Sequence, residues 1–302
     1  MSTYSLAVIG LVFTTFIWGI TFELVEESLK SLPPAIFSMI RFLIAAFCIL
    51  LCIFFKHKKL SITKDEFMAG LICGIFLSLG YFFQSYGLWE NNLYLQSDPN
   101  KSAFITGTSV LMVPIIMLIM GKKNQTIHLW ISIFIVLSGL LILLNPNVEK
   151  FTIGDLLTFG CSISFATHII YQGQYLIKKI KSIYNFFFVQ MAITAFLFFL
   201  IALFEKQFLY QFLIVNPEWN QTVWTGLLVT GILATFIAIL IMVWAQRIIS
   251  PVQTAMIFTL EPVFAGMFNH FYTDHVLSNW GIFAGIIIVL GIIYHEYKVN
   301  KA

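Results

Sequence analysis

The sequence is poor in charged residues, and this scarcity excludes an ordinary soluble domain. Of its 302 residues, 10% are charged and 59% are hydrophobic, whereas a soluble globular domain carries about 25% charged residues. The net charge of +3 is spread over separated loops, so no basic surface for nucleic acid is indicated. The composition predicts a polytopic membrane protein that lies in a lipid bilayer and has no nucleic-acid partner.

The sequence also lacks the motifs that bind metals, nucleotides or cofactors. Cys48 and Cys52 share a helix face without further ligands nearby, and Cys73 and Cys161 also lie in apolar runs, so we interpret all four as buried thiols. There is no HExxH motif, paired-acid cluster or GxxxxGK[ST] loop. We therefore expect no metal, cofactor or catalytic residue and predict that the protein is not an enzyme. A membrane-embedded lipid-modifying enzyme is the alternative that the sequence favours least.

Long apolar runs dominate the chain, and ten of them approach the roughly 20 residues that a helix needs to cross a bilayer. They are residues 5–22, 34–55, 67–89, 102–120, 127–144, 154–175, 183–204, 222–245, 251–271 and 279–297. The first run lacks a small-residue cleavage site at its end, so we interpret it as a span rather than a signal peptide. The predicted fold is an all-α polytopic membrane protein with ten transmembrane helices.

The basic residues alternate between loops and predict the orientation. One set of loops holds Lys56, Lys58, Lys59, Lys64, Lys122, Lys123, Lys178, Lys179, Lys181, Arg247, Lys298 and Lys301, and the other set holds Lys30, Lys101, Lys150 and Lys206. Because cytoplasmic loops are rich in Lys and Arg, both termini are predicted to be cytoplasmic, which agrees with an even number of spans. We interpret outward acidic residues such as Asp155 as solvated loop positions and helix caps.

The two halves of the chain show a weak internal similarity. Ser102, Thr106 and Pro114 recur at the same spacing as Ser250, Thr254 and Pro262. Five spans in each half would place the second half in the opposite orientation, and inverted repeats of this kind surround a central site in many secondary transporters. We therefore predict two inverted five-helix repeats, residues 1–146 and 147–302.

Glu261 is the acidic residue that lies deep inside an apolar run, directly before Pro262. A carboxylate at the middle of a bilayer costs about 2.5–3.5 kcal/mol on insertion scales, so we expect it to face protein or a water-filled cavity. Pro262 frees backbone groups beside it. Two roles stay open for Glu261: satisfying freed backbone donors, or binding a substrate cation or a proton.

Polar and aromatic residues within other runs complete the predicted substrate-binding set. Tyr81 shares a helix face with Ser78 and Ser85, and Ser164 shares one with His168. An imidazole with an unperturbed pKa of about 6.5 could exchange protons, although a hydrogen-bonded neutral histidine is the simpler interpretation of His168. The predicted set is Trp18, Tyr81, Gln84, Thr106, Ser164, His168, Tyr171 and Glu261.

Three further features have a structural and a functional interpretation. The pair Trp18–Gly19 suits either a cavity wall or an interfacial ring beside a packing glycine. We interpret Arg41 as an anchor whose side chain reaches out to the headgroups, with a substrate ligand as the second possibility. The Phe-rich seventh run is predicted to face lipid.

The order of these motifs resembles the EamA-type branch of the drug/metabolite transporter superfamily. The resemblance is carried by Trp18–Gly19, Arg41–Phe42, the segment 102–114, Gly154–Asp155 and, most strongly, the segment 244–264 around Leu260–Glu261–Pro262. It implies a ten-helix transporter of small organic molecules in which spans 1, 3, 4, 6, 8 and 9 surround the substrate. The segment 272–275, Tyr-Thr-Asp-His, departs from the Gly-Glu often found there, so no role is transferred to it.

The function expected from this resemblance is secondary transport of amino acids or related amine-bearing metabolites by alternating access. Export across the cytoplasmic (inner) membrane of a bacterium is the first hypothesis, and uptake or multidrug export is the alternative. Protons are a candidate coupling ion, and the protein is expected to be a monomer or homodimer.

Overall fold

The computed structural model describes residues 1–57, 60–89, 97–122, 125–146, 150–178, 180–204, 220–272 and 278–299, and these residues form helices and short connections. The helices are α1 (Thr3–Ser31), α2 (Pro34–His57), α3 (Lys64–Leu88), α4 (Pro99–Gly107), α5 (Ser109–Ile119), α6 (Ile127–Leu144), α7 (Ile153–Lys178), α8 (Ile183–Phe204), α9 (Gln221–Val229), a π-helical segment (Thr230–Ile237), α10 (Ala238–Ala245), α11 (Pro251–Phe258), α12 (Glu261–Tyr272) and α13 (Asn279–Val299).

Within the described ranges, nine helical stretches are long and apolar enough to cross a membrane. They coincide with nine of the ten predicted runs. The remaining run, 251–271, consists of the two short helices α11 and α12, and Thr259 and Leu260 separate them in a tight turn. The amides of Thr259 and Leu260 bond three residues back, to Met256 and Ile257, and Pro262 has no amide hydrogen to continue the regular ladder.

Most of the long helices pack mainly on a few neighbours. Helix α3 lies against α7 and α8, and α1 lies against the continuous stretch α9–π segment–α10 and against α12. Helix α2 packs on α8 and on the π segment, whereas α6 packs mainly on α13. Two large apolar clusters fill the bundle, one around α5, α6 and α11 and the other around α2, α3 and α8.

The prediction that the Phe-rich seventh run faces lipid is wrong for one side of α8. Phe186, Phe187 and Phe198 are fully buried, and the ring of Phe198 stacks on Phe42 of α2 with 6.1 Å between centroids. The physical reason is that α8 lies between α2 and α3 and must contribute an apolar face to the core. Phe196 and other rings on the opposite side are exposed, as a lipid-facing surface requires.

The π-helical segment is a local break that the hydropathy pattern did not predict. Its wider turns change backbone hydrogen bonding, and π-bulges are found frequently at functional sites. The Thr235 hydroxyl donates to the carbonyl of Thr230, five residues back, over 2.8 Å. Side chains of α1 use nearby carbonyls: Trp18 Nε1 donates to Ala234 over 2.8 Å, and Thr14 Oγ1 donates to Ala238 over 3.1 Å. The segment thereby fixes α1 against the second half of the chain.

Candidate functional site

A cavity of about 850 Å³ runs from the middle of the bundle to one end of it. Its deep part is lined by residues of α1, α2, α3, α7 and α12, including Trp18 and Glu261. Its mouth lies at the carboxyl end of α1, next to Glu27 and Trp89. The volume lies within the roughly 300–1,000 Å³ that small-molecule sites occupy.

Most of the predicted site residues lie on the wall of this cavity. Trp18, Tyr81, Gln84, Thr106, His168 and Glu261 line it. Ser164 and Tyr171 are not among the lining residues: the Ser164 hydroxyl donates to the Gly160 carbonyl of its own helix over 2.7 Å, and the Tyr171 ring stacks on Phe76 with 5.6 Å between centroids. Tyr171 therefore faces α3 rather than the open space, since Phe76 belongs to α3.

Glu261 is the first residue of α12 and lies on the cavity wall, partly exposed to the open space. Within the described part of the chain, its carboxylate has no hydrogen bond and no salt bridge. The backbone donors freed near Pro262 therefore do not satisfy it, which speaks against the purely structural interpretation. The positive end of the α12 dipole favours a negative charge at this position.

Arg41 does not reach outward to the headgroups, and that expectation is wrong. The side chain is buried with 5% exposure and lines the same cavity as Glu261. Its Nε donates to Thr235 Oγ1 over 2.5 Å, one of its terminal nitrogens donates to Tyr81 OH over 3.2 Å, and the guanidinium lies 4.8 Å from the Tyr81 ring centroid. The physical reason is that Thr235 in the π segment and Tyr81 in α3 accept hydrogen bonds from the guanidinium inside the bundle, so it does not need lipid headgroups as acceptors.

His168 is hydrogen-bonded, as its simpler interpretation expected. The side chain is 2% exposed, and its Nε2 lies 2.6 Å from Nε2 of Gln190 on α8. Gln190 is fully buried and was not singled out in the sequence, because a lone glutamine in an apolar run carries no spacing signal. The ring lies at the cavity wall but is tied to the scaffold behind it.

The positions of Trp18 and Gly19 agree with a cavity wall beside a close helix neighbour, which is one of the two interpretations of this pair. The Trp18 ring lines the cavity and meets Phe258 edge to face, with 4.9 Å between centroids. Gly19 lies against the backbone of α12, where a Cβ would fall 2.9 Å from the Glu261 carbonyl and 2.8 Å from the Ala265 amide nitrogen. The missing side chain therefore lets α1 set the position of Glu261.

The end of the bundle opposite the mouth is closed by a polar network that joins three helices. Gln253 at the start of α11 donates to Tyr4 OH of α1 over 2.6 Å and to Oε1 of Glu296 on α13 over 3.1 Å. Tyr4 donates to the same Glu296 carboxylate. Ser250 and Gln253 form a capping box that fixes the start of α11. Among the described residues, the cavity lining does not reach this network, so we call this end of the bundle the sealed end and the mouth the open end.

A second polar cluster joins the helices beside the mouth. Asp155 is fully buried and accepts from Ser97 Oγ over 2.5 Å and from Lys101 Nζ over 2.9 Å. It also accepts from the Thr152 amide over 2.8 Å, so it is a helix cap, as predicted. It is not solvated, however, because α4 packs over the start of α7.

The sequence of this chain is similar to those of known membrane transporters. The EamA-like transporter family matches residues 5–145 and 152–295. An "Uncharacterized transporter" of Archaeoglobus fulgidus is 30% identical over 96% of this chain and 86% of its own length. The "Uncharacterized transporter YoaV" of Bacillus subtilis is 23% identical over 97% of both chains.

A solved structure named "Crystal structure of protein" has the same fold, with a TM-score of 0.75 and 16% identity over 98% of both chains. Among the described residues, no group of three or more His, Cys, Asp or Glu is placed to hold a metal ion. The two family matches together span nearly the whole sequence. The chain therefore belongs to the EamA-like transporter family.

Proposed function

We propose that this transporter moves small amine-bearing organic metabolites, such as amino acids, across the cytoplasmic membrane of a bacterium by alternating access. The observation that carries the proposal is the Glu261 carboxylate, which lies on the cavity wall without a hydrogen bond or salt bridge among the described residues. An ammonium group of the substrate would neutralise that charge and replace the water that it loses inside the bundle.

The proposed architecture is ten spans in two inverted repeats. Helices α11 and α12 together supply the tenth span, because their combined run 251–272 has the length of the others although it is broken at residues 259–260. Two observations support the repeats. The family matches the chain twice, over 5–145 and 152–295. The packing of α3 on α7 also has a counterpart in the packing of the α9–α10 stretch on α1.

Alternating access is supported by the difference between the two ends of the cavity. The sealed end, at the network of Tyr4, Gln253 and Glu296, is also the end where Lys56, Lys178 and Arg247 lie, and basic loops are cytoplasmic. The mouth therefore faces outward in the proposed orientation. A transporter that works by rocking one bundle against the other would open the sealed end in a second state.

Binding of amines by Glu261 is tested by thermal stabilisation of the purified protein against primary amines and amino acids at pH 6 and pH 8. A ligand at a hundredfold excess over its Kd stabilises the folded state by about 2.7 kcal/mol. We expect the Glu261→Gln variant to lose this stabilisation. The matched control is Glu27→Gln, which removes an exposed carboxylate that is paired with Lys30 at the mouth.

Two outcomes of this assay, and one transport measurement, distinguish the alternatives. Stabilisation by amines that survives Glu261→Gln at both pH values would contradict the direct role of the carboxylate. Stabilisation only by bulky apolar cations would favour a multidrug exporter. Export and uptake are separated by loading the identified ligand into vesicles of each orientation and following its movement with and without a proton gradient, which also tests protons as the coupling ion.

A further inference from the structure

Two opposite charges face the cavity without forming a salt bridge with each other. Arg41 is 5% exposed and Glu261 lies across the same space, yet the salt bridges of the described residues do not include either of them. Both side chains line the same cavity, and no salt bridge of 4 Å or less joins them. A charge without a salt-bridge partner at membrane depth is costly, and this cavity holds two such charges, a positive one on Arg41 and a negative one on Glu261.

The guanidinium of Arg41 is held in one orientation and has donors to spare. Thr235 accepts from Nε, Tyr81 accepts from a terminal nitrogen, and the Tyr81 ring lies 4.8 Å from the guanidinium carbon. A guanidinium has five N–H donors, so more than half of them make no protein hydrogen bond among the described residues. A guanidinium fixed in this way is suited to bidentate binding of a carboxylate.

We propose that Arg41 binds the carboxylate of the substrate while Glu261 binds its ammonium group, so that the cavity selects α-amino acid zwitterions over simple amines. This inference rests on the proposed function and names the substrate class within it. A zwitterion neutralises both charges at once, whereas an amine leaves Arg41 uncompensated in the bundle. Sites with buried polar groups reject ligands that leave those groups unpaired.

The competing explanation is that Arg41 only offsets the charge of Glu261 and holds Tyr81 and Thr235 in place. In that case the ligand's carboxylate contributes nothing, and an amino acid, its methyl ester and the corresponding amine bind alike. The two explanations therefore differ in ligand selectivity rather than in stability, which makes selectivity the decisive measurement.

The test uses the common L-α-amino acids, each with its methyl ester and its decarboxylated amine, for example leucine, leucine methyl ester and 3-methylbutylamine. Affinities are measured on the purified full-length protein by thermal shift and calorimetry. We expect the wild type to bind the free amino acid at least about tenfold more tightly than the ester or the amine, as the loss of a charge-assisted hydrogen bond implies. Arg41→Gln is expected to abolish this preference while it keeps binding the amine.

Amine binding by the Arg41→Gln variant shows that it is folded and that its cavity is intact. Arg41→Lys keeps the positive charge but lacks the planar N–H donors of the guanidinium, so we expect its preference for the amino acid to be intermediate. The proposal is overturned if the wild type binds the ester or amine as tightly as the amino acid, if no amino acid binds, or if a folded Arg41→Gln variant keeps the preference. If Arg41→Gln does not fold, the ligand series on the wild type decides alone. Absence of binding by every amine and amino acid would overturn the proposed function as well, whereas equal binding of amines and amino acids overturns this inference only.

Discussion

Gly19 determines how closely α1 approaches the residue that begins α12. A Cβ at this position would lie 2.8–2.9 Å from backbone atoms of Glu261 and Ala265, and backbone cannot move aside as a flexible side chain can. We expect Gly19→Ala to destabilise the protein by about 1–3 kcal/mol, the usual cost of overpacking. The variant should also weaken ligand binding, because the helix that carries Glu261 must shift. Thermal unfolding and ligand titration of the purified variant measure the two effects.

The matched control is Gly285→Ala on α13. A Cβ at Gly285 would meet only Val263 Cγ1, at an ordinary 3.5 Å. The same substitution in the same kind of helix should therefore leave the melting temperature unchanged or raise it, since alanine is the better helix former. Equal effects of the two substitutions would refute the role of the close contact at Gly19.

At the scale of single residues, the sequence showed which polar side chains lie within the membrane spans, but it did not show reliably whether each one points into the cavity, toward a neighbouring helix or toward the headgroups. Glu261 and Tyr81 stand out because polarity within an apolar run is costly, and both lie on the cavity wall. Arg41 carried the same signal, but its inward direction depends on acceptors at Thr235 and Tyr81 that are distant in sequence. Tyr171 shows the reverse error, because helical spacing places residues on a face without saying which neighbour that face meets.

At the scale of helices, Asp155 joins α4 to α7 beside the cavity mouth, and its contribution to stability can be measured. The carboxylate is fully buried and its Lys101 partner is nearly so, with 0% and 11% side-chain exposure. We expect Asp155→Asn to destabilise the protein by about 3 kcal/mol, because it leaves the Lys101 charge unpaired where α4 meets α7. Thermal or chemical unfolding of the purified protein measures this difference.

The exposed pair Glu27–Lys30 provides the comparison for Asp155. Both side chains are nearly half exposed, and exposed ion pairs contribute about 0–1 kcal/mol. Glu27→Gln should therefore change stability little. If Asp155→Asn is as mild as Glu27→Gln, the buried cluster does not hold α4 against α7.

The extents of the helices follow from the hydropathy pattern, whereas their irregularities do not. Helices α6 and α8 have the predicted bounds, 127–144 and 183–204, because long apolar runs leave little choice of structure. Helix α1 continues past its apolar run to Ser31. The π segment has no signal in its sequence, and its contacts come from another helix: Trp18 donates to the Ala234 carbonyl within it, and Thr14 to the Ala238 carbonyl directly after it. Pro262 does mark the break between α11 and α12.

At the scale of the whole molecule, the proposed mechanism has two conformations that differ in which end of the cavity is open, and their free-energy difference sets their populations. The network of Tyr4, Gln253 and Glu296 joins α1, α11 and α13, and in the proposed alternating-access mechanism it stabilises the state in which this end of the bundle is closed. Removing hydrogen bonds from this network should raise the population of the opposite state. A loss of about 1.4 kcal/mol, within the range for a typical intramolecular hydrogen bond, would change that population about tenfold.

This shift can be measured at Ser109, a residue at the start of α5 that lines the cavity. A Ser109→Cys variant places a thiol of nearly the same size there, and a membrane-impermeant thiol reagent then reports access from either side. In inside-out vesicles we expect Tyr4→Phe to accelerate labelling of this thiol about tenfold. In right-side-out vesicles the rate should change little, because in the proposed mechanism and orientation the outward-open state stays dominant.

Tyr294→Phe separates the network from a general loosening of the same end. Tyr294 OH lies 2.7 Å from Nδ1 of His128 and joins α13 to α6, so its loss removes a hydrogen bond at the sealed end outside the network. We expect Tyr294→Phe to leave labelling from both sides unchanged. Equal acceleration by Tyr4→Phe and Tyr294→Phe would assign the effect to local instability, and unchanged labelling in Tyr4→Phe would show that this network does not set the balance between the two states. The parent protein without Ser109→Cys accounts for labelling of the native cysteines, of which Cys73 and Cys161 are buried.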